Sequence, residues 1–298
     1  MNQPPRPPRT NPPQQGNSGP NPAPGQNAPP KETLRRPAWR LPEGVAAGTW
    51  EYTQTDSIAT GYQRFVAQTP LIKRDIEWLL GELPSPLANR ATRVIDLGCG
   101  DGRALRALWE AGYEVLGVDL SQPMLREVTR KEHGDEIGRR LLRANLVQLD
   151  GLRDGSADHA CCLFSTIGMI RGRSYRRQFL GHVARILKPG GTLVLHVHNR
   201  NSAWRDRPSA AAWLRSAWEA IRLDGNEIGD RTYSYRGLSE MFLHTYSRAE
   251  LLQDFVASGW EVVRLVPLSI DGGAALRHPN LLPGLRAGGF LGVARSPH

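Results

Sequence analysis

Cysteine is scarce, acids are outnumbered by bases, and no long apolar run occurs in these 298 residues. The three cysteines, Cys99, Cys161 and Cys162, include an adjacent pair and no C-x-x-C spacing. That argues against a disulfide framework and against a thiolate metal site, and it suits a reducing compartment. Apolar stretches such as Ala160 to Phe164 fall far short of the roughly 20 residues of a spanning helix. The first residues also lack the apolar core of a signal peptide. A cytoplasmic protein with no metal and no membrane partner is expected. What is present, 40% apolar and 22% charged residues, suffices for one large or two small cores and excludes a collagen-like, coiled-coil or wholly disordered chain.

The excess of base, 38 Lys and Arg against 29 Asp and Glu, is unevenly spread. Residues 1–42 hold six basic side chains, one acid and 13 of the 23 prolines. So polar and Pro-rich a stretch buries too little apolar surface to offset its ordering entropy, and a disordered basic tail is expected there. The segment from Trp39 to Thr60 shows no clear period and reads as an irregular lead-in to the domain expected over 43–298.

Beyond it, Thr69-Pro70 opens a helix with Leu71, Ile72, Ile76, Leu79 and Leu80 at helical spacing. From Arg93 strands and helices alternate: strands at 94–97, 114–118, near 145–149, near 159–164 and 192–198, with helices from Arg103, from Ser121 and capped by Ser174. Such alternation predicts a doubly wound, mostly parallel α/β sheet covered on both faces. Ser247-Arg-Ala-Glu250 is a capping box, and strands at 261–266 and 290–294, with no strong helix between them, predict an antiparallel pair at one edge. The core is thus expected over about 90–198 and 247–298. Residues 199–246 form an insertion carrying a helix at 210–221 and a hairpin at 231–235 and 241–246. It follows the fifth strand, where open α/β sheets bind ligands, and is expected to cover the substrate.

The chemistry concentrates at Val94-Ile-Asp-Leu-Gly-Cys-Gly-Asp-Gly102. Glycines between a strand and a helix allow a sharp turn and close approach of a ligand. The dinucleotide fingerprint G-x-G-x-x-G is not met, since the last glycine comes one residue early and Arg103 stands in its place. Asp96, just before the first glycine, suits a cation better than a pyrophosphate. Asp119 at the end of the next strand suits ribose hydroxyls, and Asp150 after the third predicted strand suits an exocyclic amine such as that of adenine. A cationic adenosine compound, S-adenosylmethionine, meets all three.

With these pieces, Gly117-Val-Asp-Leu-Ser121 and Leu187-Lys-Pro-Gly-Gly191, the sequence resembles the class I S-adenosylmethionine-dependent methyltransferases over about Arg93 to Val197. The resemblance implies a seven-stranded Rossmann-like sheet. It implies that the methionyl part binds near Asp96, Gly98, Cys99 and Gly100, the ribose at Asp119, and the adenine beside Leu120, Met124, Asp150 and Gly151. Phe164 and Ser165 would adjoin the transferred methyl. Gly102 reads as helix packing, Cys99 as a small loop filler rather than a nucleophile, and Asp158 as a turn residue.

The catalytic side is less defined. His196, His198, Asn199, Tyr233 and His244 are candidates near the fifth strand and in the insertion, with Arg200, Tyr235 and Tyr246 as further polar contacts. The function expected is methyl transfer to a small molecule. Two alternatives stand beside it: a fold member that binds without catalysis, and a methyltransferase acting on RNA such as tRNA through the tail and a basic rim of Arg171, Arg173, Arg176, Arg177, Arg200, Arg205 and Arg207.

Overall fold

A computed structural model of the chain describes residues 38–297 apart from 206, 223 and 224. Of the predicted tail, 1–37 lie outside the described residues. A 3₁₀ turn at Ala38–Arg40 leads to helices α1 (Ala47–Gln54), α2 (Asp56–Gln68) and α3 (Pro70–Glu82). The alternating part comprises β1 (Arg93–Leu97), α4 (Arg103–Glu110), β2 (Glu114–Asp119), α5 (Gln122–Thr129), the short α6 (Gly134–Gly138), β3 (Leu141–Arg143), β4 (Ala157–Cys162), α7 (Arg173–Ile186) and β5 (Leu187–His198). The insertion supplies a 3₁₀ segment at Arg200–Arg205, α8 (Arg207–Arg222), β6 (Asp230–Tyr235) and β7 (Leu238–His244). The chain closes with α9 (Arg248–Ala257), β8 (Glu261–Leu268), α10 (Pro283–Arg286) and β9 (Gly289–Arg295).

Seven strands form one sheet in the order β3-β2-β1-β4-β5-β9-β8, parallel except for β9, which runs antiparallel to both neighbours. This is the expected doubly wound fold with an antiparallel pair at one edge. β6 and β7 make a separate hairpin. The period-2 alternation of the strands divides the core into two layers. Ile95, Leu97, Cys162, Leu193, Leu195 and Val197 point to the side packed by Phe179, Val183 and Phe255 of α7 and α9. Val94, Cys161 and Val194 point to the side packed by Leu79, Leu105 and Val128 of α3, α4 and α5. By the same parity Asp96, His196 and His198 lie on the second side.

Local chemistry accounts for the helix starts. The Ser121 hydroxyl accepts from the Met124 amide at 3.3 Å, and the Ser247 hydroxyl from the Glu250 amide at 3.1 Å. The reciprocal half of the predicted capping box is not made, because the Glu250 carboxylate turns to His244 and Arg200 instead.

Four expectations are corrected. The third strand is Leu141–Arg143, not 145–149. Asn145 turns the chain there, its side chain accepting from the Val147 amide and donating to the Glu43 carbonyl. The lead-in at 39–60 is largely helical. Helix α7 starts at Arg173 behind Gly172, whose φ of 95° stops the chain from extending the helix backward, rather than at a Ser174 cap. β5 starts at Leu187, with the Lys188-to-Gly191 stretch absorbed as a register irregularity between Ala157 and His159 of β4.

Candidate functional site

β1 pairs with β2 on one side and β4 on the other, so the chain's winding direction reverses there and a crevice opens at the strands' carboxyl ends. A cavity of about 480 Å³ occupies it. Its floor is the glycine loop. The amides of Gly98 and Cys99 both donate to the Val118 carbonyl of β2, at 2.7 and 3.1 Å, folding the loop back over the sheet. Gly98 has φ 81°, and a Cβ there would stand 2.3 Å from Thr166. A Cβ on Gly100 would meet nothing within 4 Å, so this backbone is open to the cavity. Gly102 abuts Val128 of α5, which makes it the helix-packing glycine anticipated from its position.

Asp96 and Asp119 both line the cavity. Asp96 is buried and accepts from the Cys161 thiol at 3.4 Å; among the described residues it forms no salt bridge. Burial lifts its carboxyl to about 7, against the pull of the Cys161 hydrogen bond and of Arg103. Asp119 is anchored by the amides of Gly100 (2.8 Å) and Ser121 (2.7 Å), with burial raising its pKa and those bonds lowering it. Arg103, where a dinucleotide site has glycine, is held by both oxygens of the fully buried Asp75 and lines the cavity.

Cys99, Leu120, Met124 and Phe164 line the cavity as well. Asp150 and Gly151 do not. Both are exposed in the turns that replace the predicted third strand, and Asn145 and Leu146 stand at the cavity wall instead. Ser165 is fully buried behind the wall, where its hydroxyl accepts from the His198 amide at 3.2 Å. Phe164 and Ser165 have φ of 51° and 60°, a left-handed pair of non-glycine residues at the end of β4. Such strained backbone is costly and concentrates at ligand sites.

The catalytic candidates separate. His198 lines the cavity, edge-on to Phe164 and to His196. Burial, aided by Arg231, lowers its pKa to about 4. Tyr233 and Tyr235 of β6 also face the cavity. His196 is buried, its Nδ1 unpaired. Asn199 is buried too, its amide spent on the carbonyls of Gly284 and Ala287 and on the Asn201 amide.

His244 is also removed from the cavity. It lies fully buried between Asp230 (2.7 Å) and Glu250 (2.9 Å), and its ring meets Tyr246 edge-on. Ligand atoms of Glu227, His244 and Glu250 come within 4.8 Å of one another, but Arg176 and Arg200 supply the positive charge of this cluster.

Among the described residues, four arginines of the predicted basic rim are drawn into ion pairs, while Arg171 lines the second cleft. Arg176 is wholly buried against Glu227, Arg173 and Arg177 bind Asp254, and Arg200 pairs with Glu250. Arg171 bonds Asn226. The side chains of Arg205 and Arg207 lie outside those described. Arg173, Arg176, Arg177 and Arg200 clamp the insertion and α9 onto α7. Asp158 is likewise structural: hydrogen bonds from Lys188, the Arg93 amide and Arg90 outweigh its burial and hold its pKa at about 2.

The sequence reading missed Thr49, Tyr52 and Thr53 of α1 and Tyr62 of α2, which wall the cavity opposite the sheet. Tyr52 meets Tyr235 ring to ring at 6.2 Å. The density of aromatics in 50–62 was the only available signal. A second cleft, of about 900 Å³, adjoins the first and shares His198, Tyr233 and Leu243 with it.

Comparison with known proteins agrees with this geometry. Residues 95–195 match the family model described as a methyltransferase domain. A putative methyltransferase of Geobacillus sp. is 29% identical over 109 residues, 37% of this chain and 43% of that protein. An uncharacterized methyltransferase of Mycobacterium tuberculosis is 31% identical over 188 residues, 61% of this chain and 68% of that protein. A demethylmenaquinone methyltransferase of Lactiplantibacillus plantarum is 29% identical over 198 residues, 63% of this chain and 78% of that protein. Among solved structures, a Methanosarcina mazei S-adenosylmethionine-dependent methyltransferase superposes with a TM-score of 0.57 at 19% identity, covering 74% of this chain and 97% of that one. Sheet order, glycine loop and strand-end aspartates, together with these relatives, establish that the chain belongs to the class I S-adenosylmethionine-dependent methyltransferases.

Proposed function

We propose that the protein transfers a methyl group from S-adenosylmethionine to a small, uncharged, flat acceptor. The observation that carries this is the division of the cavity. Among the described residues its charged side chains, Asp96, Asp101, Arg103 and Asp119, all belong to the loops and strand ends of β1 and β2 or the start of α4. The hairpin and the segments facing it contribute Tyr233, Tyr235, Met241, Leu243, Met169 and Ile170.

The first half fits the cofactor. A buried carboxylate at Asp96 without a salt-bridge partner suits a cationic group. The open backbone at Gly100 admits close approach, and Asp119 keeps lone pairs for two ribose hydroxyls. Leu120, Met124 and Leu146 offer an apolar slot for a base, in place of the Asp150 and Gly151 first expected. The sulfonium of the cofactor supplies an already activated methyl group. The chain's own task is therefore alignment and exclusion of water, and orientation alone is worth roughly 7–11 kcal/mol of barrier.

The second half suits an aromatic or quinonoid ring, and the name of the L. plantarum relative supports that class. His198 remains neutral at physiological pH and accepts a hydrogen bond from an acceptor O–H or N–H. Its low basicity favours orienting the nucleophile over removing its proton. The insertion at 199–246 covers the substrate through β6 and β7. With Arg173, Arg176, Arg177 and Arg200 spent on ion pairs, the cavity favours the small-molecule reading over the RNA one. Calorimetric titration with S-adenosylmethionine tests the proposal. Micromolar affinity, about 8 kcal/mol, is expected, weakened at least about tenfold in Asp119→Ala; absence of heat in the wild type overturns it.

A further inference from the structure

The described residues contain no helix long and apolar enough to cross a membrane, yet adjoining segments expose large apolar side chains in number. Trp204, Leu214, Trp218, Leu281, Leu282 and Leu285 are each more than half exposed, between 51% and 61%. They come from the 3₁₀ segment at Arg200–Arg205, from α8, and from α10 with the two residues before it. The Trp204 and Trp213 rings lie 4.9 Å apart, joining the 3₁₀ segment at Arg200–Arg205 to α8. Asn201 donates to the Gly284 carbonyl at 3.0 Å, joining the same segment to α10.

Among the described residues, the charge around these side chains is mostly of one sign. On α8, positions 214, 215, 218 and 222 share a single helical face, so Leu214 and Trp218 are bracketed by Arg215 and Arg222. The Arg222 guanidinium lies over the Trp218 ring at 4.4 Å. At the α10 end, Arg277 is exposed, and Arg286 binds the carbonyls of Arg277, His278 and Leu281. Of the described acids on these segments, Glu219 is half-buried along the second cleft, and Asp271 is engaged with Ser269 and the Gly273 amide of its own turn.

We propose that the face formed by α8, the 3₁₀ segment and α10 seats on an anionic lipid surface, with Leu214 and Trp218 entering the headgroup boundary and Arg215 and Arg222 meeting lipid phosphates. Leucine and tryptophan flanked by arginine are the composition of an interfacial helix, and each such arginine adds attraction to an anionic leaflet. A second copy fits less well, since a two-fold contact brings the same patch of both copies together and opposes arginine to arginine. A nucleic-acid groove would not need the leucines. The surface borders the second cleft through Arg215 and Ile270, so a membrane seated there lies beside the passage to His198. The docking itself does not depend on the methyl-transfer reading.

Cosedimentation of the full chain with phosphatidylcholine vesicles, with and without about one third phosphatidylglycerol, tests this. Partitioning into the anionic vesicles is expected to exceed that into neutral ones about tenfold or more and to fall with salt. The Leu214→Ser/Trp218→Ser double variant is expected to lose it while keeping its melting temperature and its S-adenosylmethionine titration, because both side chains are exposed. Arg215→Gln/Arg222→Gln is expected to lose the anionic preference. Four results overturn the proposal: no vesicle binding; binding unchanged in both variants, which assigns it to the basic N-terminal region; a dimer that the double variant disperses; or salt-sensitive binding to single-stranded RNA without vesicle binding. Failure of cofactor binding with vesicle binding intact strikes only the functional reading.

Discussion

Asp96 shows how one residue couples stability to ligand binding. Its carboxyl titrates near 4 in an unfolded chain and at about 7 when folded, mainly through burial. The folded protein thus holds this proton more tightly than the unfolded one. The associated stability is full below about pH 4 and is lost as pH rises through about 7. Asp96→Asn, neutral throughout, is expected to match the wild type at low pH and to exceed its stability above pH 7 by about 2–4 kcal/mol, read by urea denaturation across pH. The same variant should bind S-adenosylmethionine weakly at every pH, whereas wild-type affinity should rise as pH increases through about 7. A wild-type urea stability that does not fall over that interval would remove the ionised buried carboxylate from the argument. Asp150 carries the opposite lesson. Its spacing in the sequence resembles that of a binding carboxylate, but only a strand ending at 149 would have delivered it, and the chain turns at Asn145 instead.

At the scale of elements, α1 and β7 decide how the cavity is roofed. A Cβ on Gly48 of α1 would lie 2.0 Å from the Glu240 carbonyl oxygen of β7, so the helix approaches the hairpin at backbone contact. Replacing glycine by alanine within a helix ordinarily gains about 0.5–1 kcal/mol. At Gly48 overpacking, worth about 1–3 kcal/mol, outweighs that gain. Gly48→Ala is therefore expected to lower the melting temperature and weaken cofactor binding. Gly81→Ala in α3, where nothing lies within 4 Å, is expected to raise the melting temperature. If both substitutions shift it in the same direction, the roof contact does not govern. Helix α1 was illegible in the sequence for the same reason. Ala-Gly-Thr-Trp-Glu-Tyr-Thr-Gln has no apolar stripe, and its buried residues, Gly48, Thr49, Trp50 and Thr53, are fixed by what packs against them. Strand β3 was illegible because three residues are too few to display a period.

At the scale of the whole molecule, a ligand that bridges the ends of β1 and β2 and the start of α4 stabilises them together. S-adenosylmethionine at about 100 times its dissociation constant should add about 2.7 kcal/mol, raising the melting temperature by about 4–5 °C for a chain of this size. Scanning calorimetry with and without the cofactor measures this, and an unshifted transition would show that the cofactor does not join these elements. The alternation of strands and helices from 93 to 198 apart from β3, the glycine loop, the two strand-end aspartates at 96 and 119 and the capped helix from Ser247 were determined by the sequence alone, because periodicity, turn chemistry and caps are local. Tertiary structure alone decided the rest. It placed Asp150, Gly151 and Ser165 away from the cavity and spent Asn199 and His244 on internal bonds. It drew Arg173, Arg176, Arg177 and Arg200 of the predicted basic rim into ion pairs and brought Tyr52 and Tyr62 over the cavity. Each of these outcomes depends on contacts between residues far apart in the chain, and no local pattern records which side chain a distant segment will cover.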